Sequence, residues 1–265
     1  MVDLIIAGAS GRMGRVLLET ASADAEVRLV GALDAVGSPA VGATVRSFGA
    51  ASDLPVRDSL AGMPAGAVLI DFTRPEATLG YLEQCAELGL AHVIGTTGFS
   101  AEQLDRIRSL SGRVPVVMAP NFSVGVQAVL TLLRVAGRLL QNGYDVEIVE
   151  MHHRYKVDAP SGTAVRMGEV IAEAQGTALQ QRAVWSREGH TGPRPQGAIG
   201  FATLRGGDVV GDHTVIFAGG GERIEITHRS SSRAAYAAGA IRAAKYLAGH
   251  WQAGMHDVSR ALGVD

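Results

Sequence analysis

From Val2 to Phe122 short apolar runs alternate with longer stretches in which apolar positions recur at helical spacing, and a glycine- or proline-marked turn follows each run. The runs VDLIIAG, VRLVGALD, AVLIDFT, AHVIGTTG and VPVVMAPNF are continuously apolar rather than alternating, as strands covered on both faces are. Such strand–helix alternation predicts a parallel, doubly wound, Rossmann-like α/β sheet. In that architecture the turns GASGRMG, DAVG, DFTRPE, GTTGF and APNFSVG all gather along the carboxyl edge, where open α/β sheets bind ligands.

After Asn121 the pattern changes. VQAVLTLLRVAGRLL has the spacing of an amphipathic helix, and DVEIVEMHH alternates apolar and polar positions as a half-buried strand does. AIGFATLR, VVGDHTVIFAG and ERIEITHR are further strand-like runs between glycine-rich breaks, which predicts a hairpin or meander. The second part is therefore expected to be an α+β domain with an antiparallel or mixed sheet. SSSRAAYAAGAIRAAKYLAG predicts an alanine-rich helix behind a serine cap, with a short helical tail to close the chain.

Composition narrows the function. A chain of 265 residues, 47% hydrophobic, is long enough for two modest domains with full cores. Lys and Arg number 24 against 26 Asp and Glu, so no global positive field exists to hold nucleic acid or an anionic membrane, and small molecules are the expected partners. The opening MVDLIIAGASG carries an acid where a signal peptide needs positive charge, and its apolar run ends too early for a membrane span, so a cytoplasmic location is expected. The single cysteine, Cys85, excludes an intramolecular disulfide and a cysteine-rich metal site. It lies in the helix-like YLEQCAELG with no histidine beside it, a poor setting for a nucleophile.

GASGRMG places Gly8, Gly11 and Gly14 between a buried strand and a helix, where bare backbone can approach a pyrophosphate. Ser10 occupies the middle-glycine position of the strict dinucleotide pattern, so the turn alone is also compatible with a tight strand-to-helix connection. Asp34 strengthens the dinucleotide assignment, because a carboxylate ending the second strand can accept both hydroxyls of an adenosine ribose. Ala35 follows it and the nearest downstream arginine is Arg46, so NADH is expected in preference to NADPH, with Arg12 and Arg15 also within possible reach of a 2′-phosphate.

The other concentration of chemistry is EMHHRYKVDAPSGTA, residues 150–164. In an extended strand His152 and His153 point to opposite faces, so one can act while the other binds. Adjacent histidines chelate poorly, and although Glu147 and Glu150 keep a metal alternative open, no metal is expected. A helix should start near Ser161, offering the amides of Gly162 and Thr163 beside Lys156 and the histidines as a receptor for a carboxylate or phosphate. Helix capping by Ser161 or Thr163 and a merely solvated loop are the plainer alternatives. Ser161 lacks the G-x-S-x-G or S-x-x-K surroundings of a hydrolytic nucleophile.

These stretches, with IDFTRPEATL, NFSVGV, SREGHTG, IGFATLRGGDVVGDHTV and ERIEITHRSSSR, closely resemble the 4-hydroxy-tetrahydrodipicolinate (dihydrodipicolinate) reductases across essentially the whole chain, HHRYKVDAPSGTA being the most specific. The resemblance implies cofactor contacts from Gly8, Ala9, Ser10, Gly11, Arg12 and Met13, from Asp34, from Gly95, Thr96 and Thr97, and from Ala119, Pro120, Asn121 and Phe122. It makes His152 and Lys156 the catalytic pair, with His153, Gly162 and Thr163 holding substrate carboxylates. It further implies a dinucleotide domain of residues 1–122 and 233–265, a substrate and oligomerisation domain of residues 123–232, and a homotetramer formed through the second sheet. Members often carry an arginine after the ribose-binding acid, where this chain has Ala35, so their tolerance of NADPH does not transfer automatically. The implied reaction is dehydration of the hydroxylated ring and hydride transfer to the resulting unsaturated cyclic imine. A non-catalytic nicotinamide sensor would not need residues 150–164, and a dehydrogenase of other specificity would share only the dinucleotide layer.

Overall fold

The computed structural model describes residues 1–264 and divides into two compact units, Met1–Val124 with the segment beginning at Arg233, and Gly125–Ser232. In the first unit the five apolar runs form strands β1 (Val2–Ala7), β2 (Val27–Leu33), β3 (Val68–Asp71), β4 (Ala91–Ile94) and β5 (Pro115–Met118). Helix α1 (Arg12–Ser22) buries Gly14, Leu17, Leu18 and Ala21, a single helical face. Helix α2 (Pro75–Leu88) begins with a proline whose missing N–H is no loss there and ends at Gly89 with φ +67°. Ser100 and Gln103 form a reciprocal capping box on α3 (Ala101–Ser111).

All pairings in this sheet are parallel, in the order Gly254–His256 strand, β5, β4, β3, β1, β2. The chain therefore turns one way from β1 to β2 and the other way to β3, which opens a crevice at the carboxyl ends of β1 and β3. The expected short helical tail is present at Val258–Leu262, and the edge strand Gly254–His256 before it was not foreseen: QAGMH carries no strand-like run, and pairing with β5 supplies what local propensity does not.

The second unit starts with most of α4 (Val124–Leu139), followed by β6 (Asp145–His152) and α5 (Gly162–Ala174). Four strands follow, β7 (Ala183–Val184), β8 (Ile199–Arg205), β9 (Gly211–Ala218) and β10 (Arg223–Ser230), giving the sheet order β10-β9-β6-β8-β7. Val146 and Ile148 of β6 pack with Leu133, Met167, Ile171 and Phe217 under the helices. The sheet is mixed. β9 and β10 form the expected hairpin, but β8 and β9 are not neighbours, because β6 lies between them, parallel to β8 and antiparallel to β9. The alternately buried β6 gains ladder bonds on both edges by this insertion, which outweighs the tendency of consecutive strands to pair. Consequently the β8–β9 loop crosses the end of β6, with Gly206 N–H donating to His152 O and Arg154 N–H to Gly207 O.

The last long helix, α6 (Ala234–Gly249), returns to the first unit. Its N-cap is Arg233 without a side-chain cap, not a serine; Ser230 is buried as the last residue of β10 and its hydroxyl donates to Ser232 O.

Candidate functional site

Two places collect the residues singled out above, one in each unit. In the first, Gly8 leaves β1 with φ +69°, which a side chain rarely permits, and a Cβ on Gly14 would overlap the Gly8 carbonyl. Main chain thus packs on main chain at the start of α1. The Asp34 carboxylate accepts Ser10 N–H at 2.9 Å on one oxygen and Ala35 N–H at 2.9 Å on the other. Partial burial pushes its carboxyl up, but these bonds outweigh that and hold it below the usual carboxylate range. Each oxygen keeps acceptor capacity for a hydroxyl.

A cleft of about 560 Å³ joins Gly8, Ser10, Gly11, Arg12, Met13 and Asp34 to Phe72, Thr73, Arg74 and Tyr81. The second set comes from DFTRPE, one of the turns expected at the carboxyl edge, and from the helix after it; the position of β3 across the switch point from β2 brings it in. Of the arginines weighed for a 2′-phosphate, Arg46 is held by Asp53 at 2.8 Å, and Arg15 donates to Ser10 O and lies over the Phe48 ring. Arg12 and Arg74 are the cations lining the cleft.

A smaller cleft of about 250 Å³ is lined by Thr96, Thr97, Gly98, Phe99, Ala119 and Pro120. Ala9, Gly95, Asn121 and Phe122 line neither cleft. Ala9 is buried with its N–H bonded to Leu33 O, Gly95 gives the Phe72 ring the room a Cβ would take, and Phe122 is fully buried edge-on to Phe72. Asn121 Oδ1 accepts Ser123 N–H. The buried carboxylate of Asp71, ending β3, ties the two turns together by accepting from Thr73 N–H at 2.8 Å, Thr73 Oγ1 at 2.6 Å and Thr96 Oγ1 at 3.4 Å.

In the second unit β6 delivers His152, 8% exposed, beside Glu150, 1% exposed. His152 Nδ1 lies 2.6 Å from Glu150 Oε2. Arg205 of β8 grips both oxygens of Glu150 at 2.8 Å each and donates to Asp158 O, while Ser161 N–H donates to Glu150 Oε1 at 3.0 Å. Burial raises the Glu150 carboxyl, but contacts with His152, Arg205 and Ser161 outweigh it and bring it down to about 2. From β9, His213 sets its ring edge-on to His152 at 5.0 Å and its Nε2 2.8 Å from Ser161 Oγ. Burial, aided by the neighbouring His152, pushes the His213 imidazole down to about 3, so it stays neutral.

Ser161 is the N-cap of α5, its hydroxyl accepting from Ala164 N–H at 3.2 Å. Gly162 and Thr163 are the first residues of the helix, at its positive dipole end. Lys156 Nζ sits 2.8 Å from each oxygen of Asp158, the nearest anion. His153, one residue beyond β6, is half-buried and separated in environment from His152, as the strand geometry requires. Glu147 occupies the other face of β6, bound by Arg187 and Arg194, which argues against the metal alternative. Glu150, Asp158, Arg205 and His213 complete this cluster. Glu150 and Asp158 lie within residues 150–164, close enough in sequence to be found there; Arg205 and His213 arrive through the β8–β6–β9 order.

The family described as "Dihydrodipicolinate reductase, N-terminus" matches residues 2–122, and "Dihydrodipicolinate reductase, C-terminus" matches residues 125–262. The chain is 57% identical over 265 residues to the 4-hydroxy-tetrahydrodipicolinate reductase of Ralstonia nicotianae, covering 99% of this chain and 100% of that one. It is 54% identical to that of Thiobacillus denitrificans, with 99% of each covered. Among solved structures, a dipicolinate-bound dihydrodipicolinate reductase from Paenisporosarcina sp. TG-14 superposes with a TM-score of 0.74 at 25% identity, covering 97% of each chain. A probable dehydrogenase from Thermotoga maritima shares the fold alone, with a TM-score of 0.62 at 11% identity, covering 99% of this chain and 93% of that one.

Proposed function

The chain belongs to the dihydrodipicolinate reductase family, and from that premise we propose how its two units divide the work. The reaction is the nicotinamide-dependent reduction of 4-hydroxy-tetrahydrodipicolinate, by way of dihydrodipicolinate, to tetrahydrodipicolinate in lysine and diaminopimelate biosynthesis. Bound nicotinamide supplies the hydride. Gly8, Ser10, Gly11, Arg12 and Met13 hold its pyrophosphate side and Asp34 the adenosine ribose; the cradle of bare backbone at Gly8 and Gly14 fits such a group. Thr96, Thr97, Ala119 and Pro120 line the continuation of the cofactor site.

His152 is the general acid that supplies a proton as electron density develops on the ring. Lys156 exchanges Asp158 for a substrate carboxylate and places positive charge beside the ring. His153 and the first turn of α5, at Gly162 and Thr163, hold the carboxylates. The observation that carries this assignment is the convergence on one loop of a buried, carboxylate-backed imidazole, a lysine and a helix N-terminus.

NADH is the preferred cofactor, because Asp34 faces the cleft with Ala35 beside it, while Arg12 and Arg74 leave NADPH usable. A homotetramer forms through the sheet face away from α4 and α5, where Leu204 is 49% exposed beside its half-buried ladder partner Met151. No helix among the described residues is long and apolar enough to cross a membrane; we place the enzyme in the cytoplasm with its small-molecule substrates.

The test is oxidation of NADH and of NADPH with substrate generated in place from pyruvate and aspartate semialdehyde by the preceding synthase. Synthase-dependent oxidation, faster with NADH and reduced at least tenfold in kcat/KM by Lys156→Ala, is expected. Equal or better use of NADPH overturns the cofactor preference, and an undiminished Lys156→Ala overturns the lysine's role.

A further inference from the structure

We propose that Glu150 is a positioning residue that fixes His152 as an Nδ1–H imidazole, so that Nε2 is the one atom from which the proton leaves. The inference rests on His152 being the proton donor. Hydrogen-bond accounting carries it. Glu150 Oε1 accepts from Ser161 N–H and Arg205, and Oε2 accepts from Arg205 and faces His152 Nδ1. A carboxylate gripped by a guanidinium and an amide has no proton to give, so Nδ1 must be the donor across the 2.6 Å contact. Among the described residues Nε2 has no hydrogen-bond partner, and the side chain keeps 11% of its surface exposed. Gly211 lies alongside, and a Cβ there would come within 3.0 Å of Nε2. Bare backbone at Gly211 thus keeps Nε2 unobstructed.

The step balances simply. The Nε2–H bond of the imidazolium breaks, the proton passes to the substrate, and a neutral Nδ1–H imidazole remains against an unchanged Glu150 carboxylate. The charged or titratable groups around His152 are Glu150 on its own strand, Arg205 on β8, His213 on β9, His228 opposite His213 on β10, and Lys156 and Asp158 on the following loop. Arg205 keeps Glu150 from taking the proton, and a neutral His213 adds no second positive charge. Because Arg205 also donates to Asp158 O, the same guanidinium steadies the partner of Lys156.

Long-range ¹H–¹⁵N spectra of the unsubstituted protein with the imidazole neutral should show Nδ1 protonated and Nε2 bare; the opposite tautomer overturns the proposal. In Glu150→Gln the acceptor of the Nδ1–H bond loses its charge. The same spectra should show the Nδ1–H preference weakened, and kcat should fall about tenfold or more with the nicotinamide KM within about twofold. Unchanged kcat and tautomer in Glu150→Gln overturn it. Glu150→Asp, which keeps the charge, should keep the tautomer, whereas a preference weakened equally in both variants overturns it. Undiminished turnover in His152→Ala would instead sink the proton-donor assignment and leave the tautomer result standing.

Discussion

The glycine cradle and the His152 cluster hold polar groups in place by opposite means. In the first unit the work falls to main chain: Gly8 and Gly14 bring backbone against backbone, and Asp34 is oriented by the amides of Ser10 and Ala35. In the second it falls to side chains drawn from three strands and a loop, with Arg205, Glu150, His152, Ser161 and His213 in one bonded set. A cradle built from main chain depends on what is absent, the Cβ atoms; a network of side chains depends on every member being present.

That contrast can be broken from either side. Removing the His152 imidazole by substitution with alanine should lower kcat by about a thousandfold while leaving NADH binding intact, which steady-state rates and a fluorescence titration would read. Equal losses in both would mean that the histidine supports the fold. Gly14→Ala should have the reverse signature, costing about 3 kcal/mol of stability and weakening NADH binding, because the added methyl meets the Gly8 carbonyl. Thermal unfolding and calorimetric titration would show it.

Acid separates the units next. His213 lies at about 3 folded against 6.5 unfolded, so below 6.5 the unfolded chain takes a proton that the folded one refuses. Its contribution is complete above 6.5 and is lost as pH falls toward 3. Glu150, about 2 folded against 4.5 unfolded, loses its contribution as pH falls from 4.5 toward 2. In the first unit the buried Asp71 is held below 3.8, so its loss begins only under that value. Hydrogen exchange should therefore show β9 opening more readily by pH 5 while β3 remains protected, a difference on the order of 2 kcal/mol that His213→Gln abolishes. Parallel loss in β3 and β9 would contradict it. The smallest expected effect sharpens the cradle's specificity: Ala35→Arg should raise the NADPH-to-NADH ratio of kcat/KM about tenfold, worth about 1.4 kcal/mol.

The same contrast explains what could be read in the sequence. β3 and β4 are buried throughout and β1 over its last four residues, so they stand out as continuous apolar runs, and GASGRMG with Asp34 is local punctuation. β6, the start of α5 and the His–Lys–Ser-Gly-Thr stretch are likewise contiguous. Arg205 and His213 reach Glu150 and Ser161 only because β6 inserts between β8 and β9, a pairing that the alternation of polar and apolar residues does not encode. The Gly254–His256 strand exists because β5 offers it an edge. Local chemistry was legible; chemistry assembled by tertiary pairing was not.

The division of labour between the units is tested most directly by hydrogen-exchange footprints taken with NADH alone and with pyridine-2,6-dicarboxylate alone. NADH should protect amides in residues 8–14 and at Asp34 and Ala35, and the dicarboxylate should protect amides in residues 152–164. Protection of 152–164 by NADH without protection of 8–14, or a dicarboxylate footprint confined to the glycine turn, would contradict the account.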